Sequence, residues 1–418
     1  MFLLTDNSSL TTSALTYLTR IFIFISIFLL VLGCAQRETD IGAGAITGVP
    51  SDTFIVVSGT ATASASWTPE FTNGYGPSLE VGNALGLFAF FAIRFDPATD
   101  LPDSVLVDEM SIRFHRNRVW PDDAAGLQVR VREITESWEE EDLVPGSLPN
   151  RESYPILDSI LVSATDTFFT FDVPAAVWSK WLAGDTTTYG LLFEPRSSDA
   201  FIEFYSSEPL GTDETLYPIL QVEGTWWTED DDGNWTDTTL SVDLTAIDDA
   251  YLVIDSTIRP PDRLFVSQGI AGRSALLFPI DTLLVNYTRS VSRAILRVWA
   301  DTLDPAQITY EGQNILFKNG FLDDTNWVAH STEPDSFNLG LESSSSGTWD
   351  ATNTIFSLDV TSMVSNWFSE PTRNGGVQIL ASNELSFIAR QVFYNHLAAD
   401  STKHPRLEIW LTESSYSY

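Results

Sequence analysis

The chain has 418 residues, 57 of them acidic against 22 Lys and Arg, and a formal net charge of −35 at pH 7. That balance excludes nucleic acid as a partner, since phosphate binding requires a basic surface, and it disfavours polyanionic glycans. A single cysteine excludes disulfides, cysteine-based zinc sites and a cysteine nucleophile in the rest of the chain, so stability must come from apolar cores, which this length can supply for two or three domains.

At the N-terminus, Arg20 precedes the apolar run "IFIFISIFLLVL", which is short of the roughly 20 residues a spanning helix needs. The run ends in Val31-Leu32-Gly33-Cys34, which resembles the lipobox of bacterial lipoproteins. The resemblance implies a signal peptide over 1–33, lipid on Cys34, and a tether over 34–51. Ala35, where Asp commonly signals inner-membrane retention, points to an outer-membrane lipoprotein facing the periplasm or the cell surface.

From Asp52-Thr-Phe-Ile-Val onward the pattern is one of short strands. "LEVGNALGLFAFFAIRFD" (Leu79 to Asp96) and "VDEMSIRF" (Val107 to Phe114) lead to "FTFDVPAAVWSKWLAGDTTTYG", in which Phe169, Phe171 and Val173 alternate as in a half-buried strand. Asp172 is then placed to cap a helix whose Val177 and Trp181 share a face, Gly184 stops it, and Gly190 opens another strand. "ILQVEG" closes the unit. Between Thr225 and Leu244, "TWWTEDDDGNWTDTTLSVDL" reads as a β-hairpin linker with Asp232-Gly233 at its turn.

The same series then repeats at an offset of some 185 residues. "LFVSQGIAGRSALLFPID" (Leu264 to Asp281), "VSRAILRV" (Val291 to Val298), "FSLDVTSMVSNWFSEPTRNGG" (Phe356 to Gly376) and "RLEIWL" answer the first set in order, and Asp249-Ala-Tyr-Leu-Val answers Asp52-Thr-Phe-Ile-Val. The expected organisation is all-β: two tandem antiparallel β-sandwich, jelly-roll-like domains at 52–224 and 249–413, each with one short helix, joined by a hairpin linker over 225–248 and followed by a tail over 414–418.

The order of "L-x-V-G" (Leu79 to Gly82), "FAIRFD" (Phe91 to Asp96), "VREITESWEEEDLV" (Val131 to Val144), "FDVPAAVWSKWLAG" and "YPILQVEG" (Tyr217 to Gly224) resembles the DNRLRE domain. That resemblance spans both repeats and implies a β-sandwich related to a carbohydrate-binding module family found in secreted polysaccharide-degrading systems. The second repeat has only "FLDDTNWV" (Phe321 to Val328) near the place of "ESWEEE".

No G-x-S-x-G, H-E-x-x-H or phosphate-binding Gly-rich loop is present, and His115, His330, His396 and His404 are scattered. Trp138, Trp178, Trp181 and Trp367 lie in the shared motifs and read as core. Trp67, Tyr75 and Trp120 lie in turn-like stretches, where a flat ring can stack on a pyranose while Asn117, Arg118 and Asp122 read its hydroxyls. Glu139, Glu140 and Asp142 read either as a solvated charge run or as oxygen ligands of a structural Ca²⁺. Three functions fit: non-catalytic polysaccharide binding by a lipid-anchored protein, a structural or adhesive surface protein with protein partners, and, more remotely, a lyase or hydrolase.

Overall fold

The computed structural model describes residues 54–412 except 70–72, 75, 102–104, 145, 185–187, 197–198, 209–213, 230–234, 285–289, 311–316, 323–324, 326, 329–336 and 339–346. Residues 1–53, with the leader, Cys34 and the tether, lie outside them, as do 413–418. Among the described residues no helix is long and apolar enough to cross a membrane.

The fold is all-β and antiparallel, with sheets that pack as sandwiches. In chain order it opens with β1 (Phe54–Thr60), β2 (Ala63–Trp67), β3 (Ser78–Ala84), β4 (Leu87–Arg94), α1 (Pro97–Asp100), β5 (Val105–Trp120), β6 (Gly126–Glu133), β7 (Ile156–Ser163), β8 (Phe168–Asp172) and α2 (Ala175–Leu182). There follow β9 (Leu191–Pro195), β10 (Ala200–Tyr205), β11 (Ile219–Glu229), β12 (Trp235–Thr245) and β13 (Asp248–Asp255). The second series is β14 (Arg263–Gln268), β15 (Arg273–Leu277), α3 (Ile280–Leu284), β16 (Ser290–Trp299), β17 (Phe317–Leu322), β18 (Phe337–Asn338), β19 (Thr348–Asp350), β20 (Ile355–Asp359), α4 (Thr361–Ser369), β21 (Val377–Ala381), β22 (Ala389–Tyr394) and β23 (Arg406–Thr412).

Two halves with the same order of pairing emerge. In the first, β9 lies between β4 and β6; in the second, β21 lies between β15 and β17. Likewise β5 pairs with β8 and β11 as β16 pairs with β20 and β23, and β10 pairs with β3 as β22 pairs with β14. In the first half β10 also bonds the far end of β5, so one sheet curls from β12 round to β7. Each half carries a second, shorter helix, α1 or α3, where the sequence suggested only one.

The repeated helix forms for the reasons its pattern suggests. Trp181 and Val177 of α2, and Trp367, Val364 and Met363 of α4, are buried in the main core. Gly184 stands at φ +61° with its N–H on the Trp181 carbonyl, a left-handed stop that glycine takes without steric cost. The cap differs from expectation: Pro174 and Val360 hold the N-cap positions without side-chain bonds. Asp359 sits one residue earlier, where Oδ1 accepts from the Thr361 N–H (2.9 Å) and hydroxyl (2.6 Å).

The strand pairing departs from the division at 52 and 249. β1 pairs with β23 and β2 with β15, so the opening strands belong to the sheets of the second half. Conversely β12 pairs with β11 and β13 with β4, so the hairpin continues the sheet of the first half instead of linking two bodies. Register shows which strands correspond: Thr60 faces Arg406 as Thr245 faces Ile219, making β1 the counterpart of β12. Ser64 faces Leu276 as Tyr251 faces Phe91, making β2 the counterpart of β13. The likeness of Asp52-Thr-Phe-Ile-Val to Asp249-Ala-Tyr-Leu-Val therefore matches strands that do not correspond. Residues of both halves join one hydrophobic core cluster, and the described residues of 54–412 form a single compact unit.

Candidate functional site

The residues expected to bind sugar do not form one surface. Trp67 ends β2 with 6% exposure, packed with Ala275, Leu322 and Trp327, so its ring has no face for a ligand. Tyr75 lies outside the described residues. Trp120 is half-buried at the end of β5, opposite Phe201 in register, with ring centroids 5.9 Å apart, and a cis peptide bond leads into Pro121 and the exposed Asp122. Asn117 Nδ2 donates to Glu203 Oε1 at 2.8 Å. Arg118 Nε is 3.6 Å from Glu203 Oε2, and its guanidinium carbon stands 3.8 Å from the Phe387 ring centre. These two side chains serve a buried acid and the other half of the molecule instead of a solvent-facing sugar.

That acid belongs to a polar seam between the halves. Glu203 and Glu80 are register partners on β10 and β3. Glu80 Oε1 accepts from the Ile388 N–H, and the Tyr251 hydroxyl lies within reach of the Gly269 and Ser386 carbonyls. Burial pushes Glu203 up to about 7 while Arg118 and Asn117 pull it back. Burial first, and then the neighbouring Glu203, raise Glu80 well above the usual carboxylate range. The acids of the seam are buried, and its hydrogen bonds run from one half to the other.

The three acids considered for calcium do not converge. Glu139 is exposed, 3.8 Å from Arg94, and Asp142 is exposed as well, while Glu140 is buried. Burial, then Asp249, Glu208 and Asp248, raise Glu140 to about 8. Among the described residues no group of three or more His, Cys, Asp or Glu is arranged to hold a metal ion. An open pocket of about 220 Å³ lies nearby, lined by Arg94, Asp96, Trp181, Tyr189, Gly190 and Ile247. Both charged side chains of its lining are already engaged: Arg94 Nη2 is 2.5 Å from Asp248 Oδ2, and Asp96 Oδ2 accepts from the Thr99 hydroxyl at 2.7 Å.

A pair of exposed indoles lies elsewhere, on the hairpin of β11 and β12. Trp226 packs against the main core, so Trp227, the next residue, faces outward and is 43% exposed. Glu229 faces Trp235, Trp227 faces Asp237 and Thr225 faces both Thr239 and Leu106, which puts Trp227, Trp235 and Leu106 on one face of β5, β11 and β12. Trp235 is 59% and Leu106 60% exposed. The two indoles are diagonal cross-strand neighbours, about 7 Å apart along the backbone in ordinary sheet geometry. Asp237, Glu229 and Thr239, all exposed, supply hydrogen-bonding groups around them. Sequence reasoning passed over this pair by treating the segment as a linker. The signal was present in "TWWTEDDDGNW": folding the strands about Asp232-Gly233 places the second and third Trp on one face.

No family model matches the chain, and no curated protein matches it. Among solved structures, a chain described as "BspA_C_WT" is 9% identical over 85% of this chain and 86% of its own, with a TM-score of 0.14. The structure of the Macrobrachium rosenbergii nodavirus is 9% identical over 90% of this chain and 95% of that one, with a TM-score of 0.15. Likenesses of that order carry no argument.

Proposed function

We propose that this chain is a non-catalytic polysaccharide-binding lipoprotein, anchored to a bacterial outer membrane through lipid on Cys34, that lays the Trp227 and Trp235 face of its hairpin on a sugar chain. The observation that carries the reading is this pair of exposed indoles on one sheet face, bordered by hydroxyl and carboxylate groups. An indole stacks on the apolar face of a pyranose, and two at a cross-strand diagonal can meet successive regions of one chain. The acidic surface favours a neutral glycan. The resemblance to the DNRLRE domain points the same way. The rival reading, an adhesive protein with protein partners, draws on the nearly full exposure of Ile258 (91%), in the segment leading into the second half, and of Leu303 (90%), in a loop of that half.

The test is a pull-down on insoluble cellulose, xylan and β-1,3-glucan, followed by calorimetry on whichever binds. Trp227→Ala and Trp235→Ala should each cost about 1–3 kcal/mol, hence roughly ten- to a hundredfold in affinity, with little dependence on salt. Unchanged affinity in both variants, or retention on none of the glycans, would reject the proposal and favour the adhesive reading.

A further inference from the structure

Strands β1 and β2 occupy edges of two different sheets of the second half. β1 closes one on β23, from Phe54 opposite Thr412 to Thr60 opposite Arg406, and β2 closes the other on β15, from Ala63 opposite Leu277 to Trp67 opposite Arg273. In the first half the same two positions are taken by β12 and β13, which stand at the head of the second repeat. One rule covers both: each half is completed by the strand pair that opens the other repeat. For the first half that pair follows directly in the chain. For the second half it must come back across the entire first half.

The side-chain contacts of β2 are likewise with the second half and with the segment leading into it. Ser64 Oγ is 2.8 Å from His396 Nδ1, 332 residues away in sequence, and Ser66 Oγ is 2.7 Å from Ser274 Oγ. Ser66 Oγ also accepts from the Phe265 N–H at 3.0 Å, and its carbonyl accepts from Arg259 Nη1 at 3.2 Å. A head pair from another molecule would meet all of these groups unchanged.

We propose that the segment Phe54–Trp67 exchanges between copies of this chain, the head pair of one molecule filling the acceptor edges of the next, so that head-to-tail strand-swapped assemblies form. Such a contact is heterologous, so it either closes into a small ring or continues as a chain of molecules. The short connection over 68–77 keeps the pair at an effective concentration on the order of millimolar for its own acceptor, so closure within one molecule prevails in dilute solution. Exchange gains ground when chains fold close together. The proposal does not rest on the glycan reading.

The experiment uses full-length chains in detergent with Cys34→Ser, one carrying Ser66→Cys and the other Ser274→Cys, each with its own tag. The two are unfolded together, refolded over a series of protein concentrations and oxidised. The expected product is a disulfide-linked dimer bearing both tags, its share rising with concentration and well above that of same-tag dimers. A chain carrying both substitutions should close its own disulfide in dilute solution, which checks that the paired positions are within bonding reach. Closure within the double variant with no mixed dimer at any concentration would overturn the proposal. Equal amounts of mixed and same-tag dimers would also overturn it, as unspecific thiol pairing, and so would failure of the double variant to close.

Discussion

Glu203 and Glu80, register partners at the seam between the halves, are among the buried acids whose raised pKa values couple stability to pH. Glu203 titrates at about 7 when folded and near the ordinary 4.5 when unfolded, chiefly because burial disfavours its charged form. Below about 4.5 it is protonated in both states and costs nothing; between there and about 7 only the folded state holds the proton, so stability falls as pH rises. Asp249, raised to about 7 by burial, acts in the same direction, and Glu140, at about 8, extends the window upward. Asp255 runs the other way: Arg390, Thr257 and Arg259 outweigh its burial and hold it below the usual range, so its contribution is lost only in acid. The prediction is that urea unfolding gives a higher free energy at about pH 5 than at about pH 7. Glu203→Gln should flatten that slope by up to about 1.4 kcal/mol per pH unit, the effect of one proton. Equal slopes in the two proteins would remove Glu203 from this role.

At the scale of elements, the repeated helix and the strand after it were legible because their causes are local. Trp367 is fully buried in the main core, so Trp367→Ala should cost about 3–5 kcal/mol in a denaturant melt, as truncation of a large buried ring does. A loss under about 1 kcal/mol would contradict its place in the core. The glycines that open the following strands are equally constrained: Gly190 at φ +109° and Gly376 at φ +108° lie where a side chain is strained. A Cβ on Gly190 would stand 2.2 Å from the Ile93 carbonyl oxygen, and one on Gly376 would stand 2.8 Å from that of Leu276. Gly190→Ala should therefore be the more damaging of the two, measured side by side. Strand partners were not legible in this way. Alternation states which face of β1 is buried but not which sheet will bury it, and the motif shared by Asp52 and Asp249 lent weight to the wrong correspondence. The same limit misplaced Trp67, which sits between polar residues in the sequence yet closes a sheet edge, whereas the pairing that puts Trp227 and Trp235 on one face was legible as a hairpin and was passed over because the segment reads as a linker.

For the molecule as a whole, the crossed pairing makes the first half self-contained in sequence and leaves the second dependent on the N-terminal strands. Residues 78–255 include every strand that pairs within the first half, while the second half draws β1 and β2 from beyond that stretch. Closing so long a loop costs chain entropy that grows slowly with length, so the arrangement is affordable at equilibrium, but contacts of such separation form late. Until they form, β23 and β15 present open edges, the state in which sheets recruit other strands. Deleting 54–67 should make that state permanent. Hydrogen exchange on the deleted chain is expected to show fast amides along β23 and β15 and weakened protection through 263–412, with 78–255 protected as in the intact chain. A division at 52 and 249 predicts the opposite, since it places the deleted strands in the first sandwich and would expose β11 and β4. Loss of protection confined to the first half would thus restore that division and remove the basis for exchange between copies.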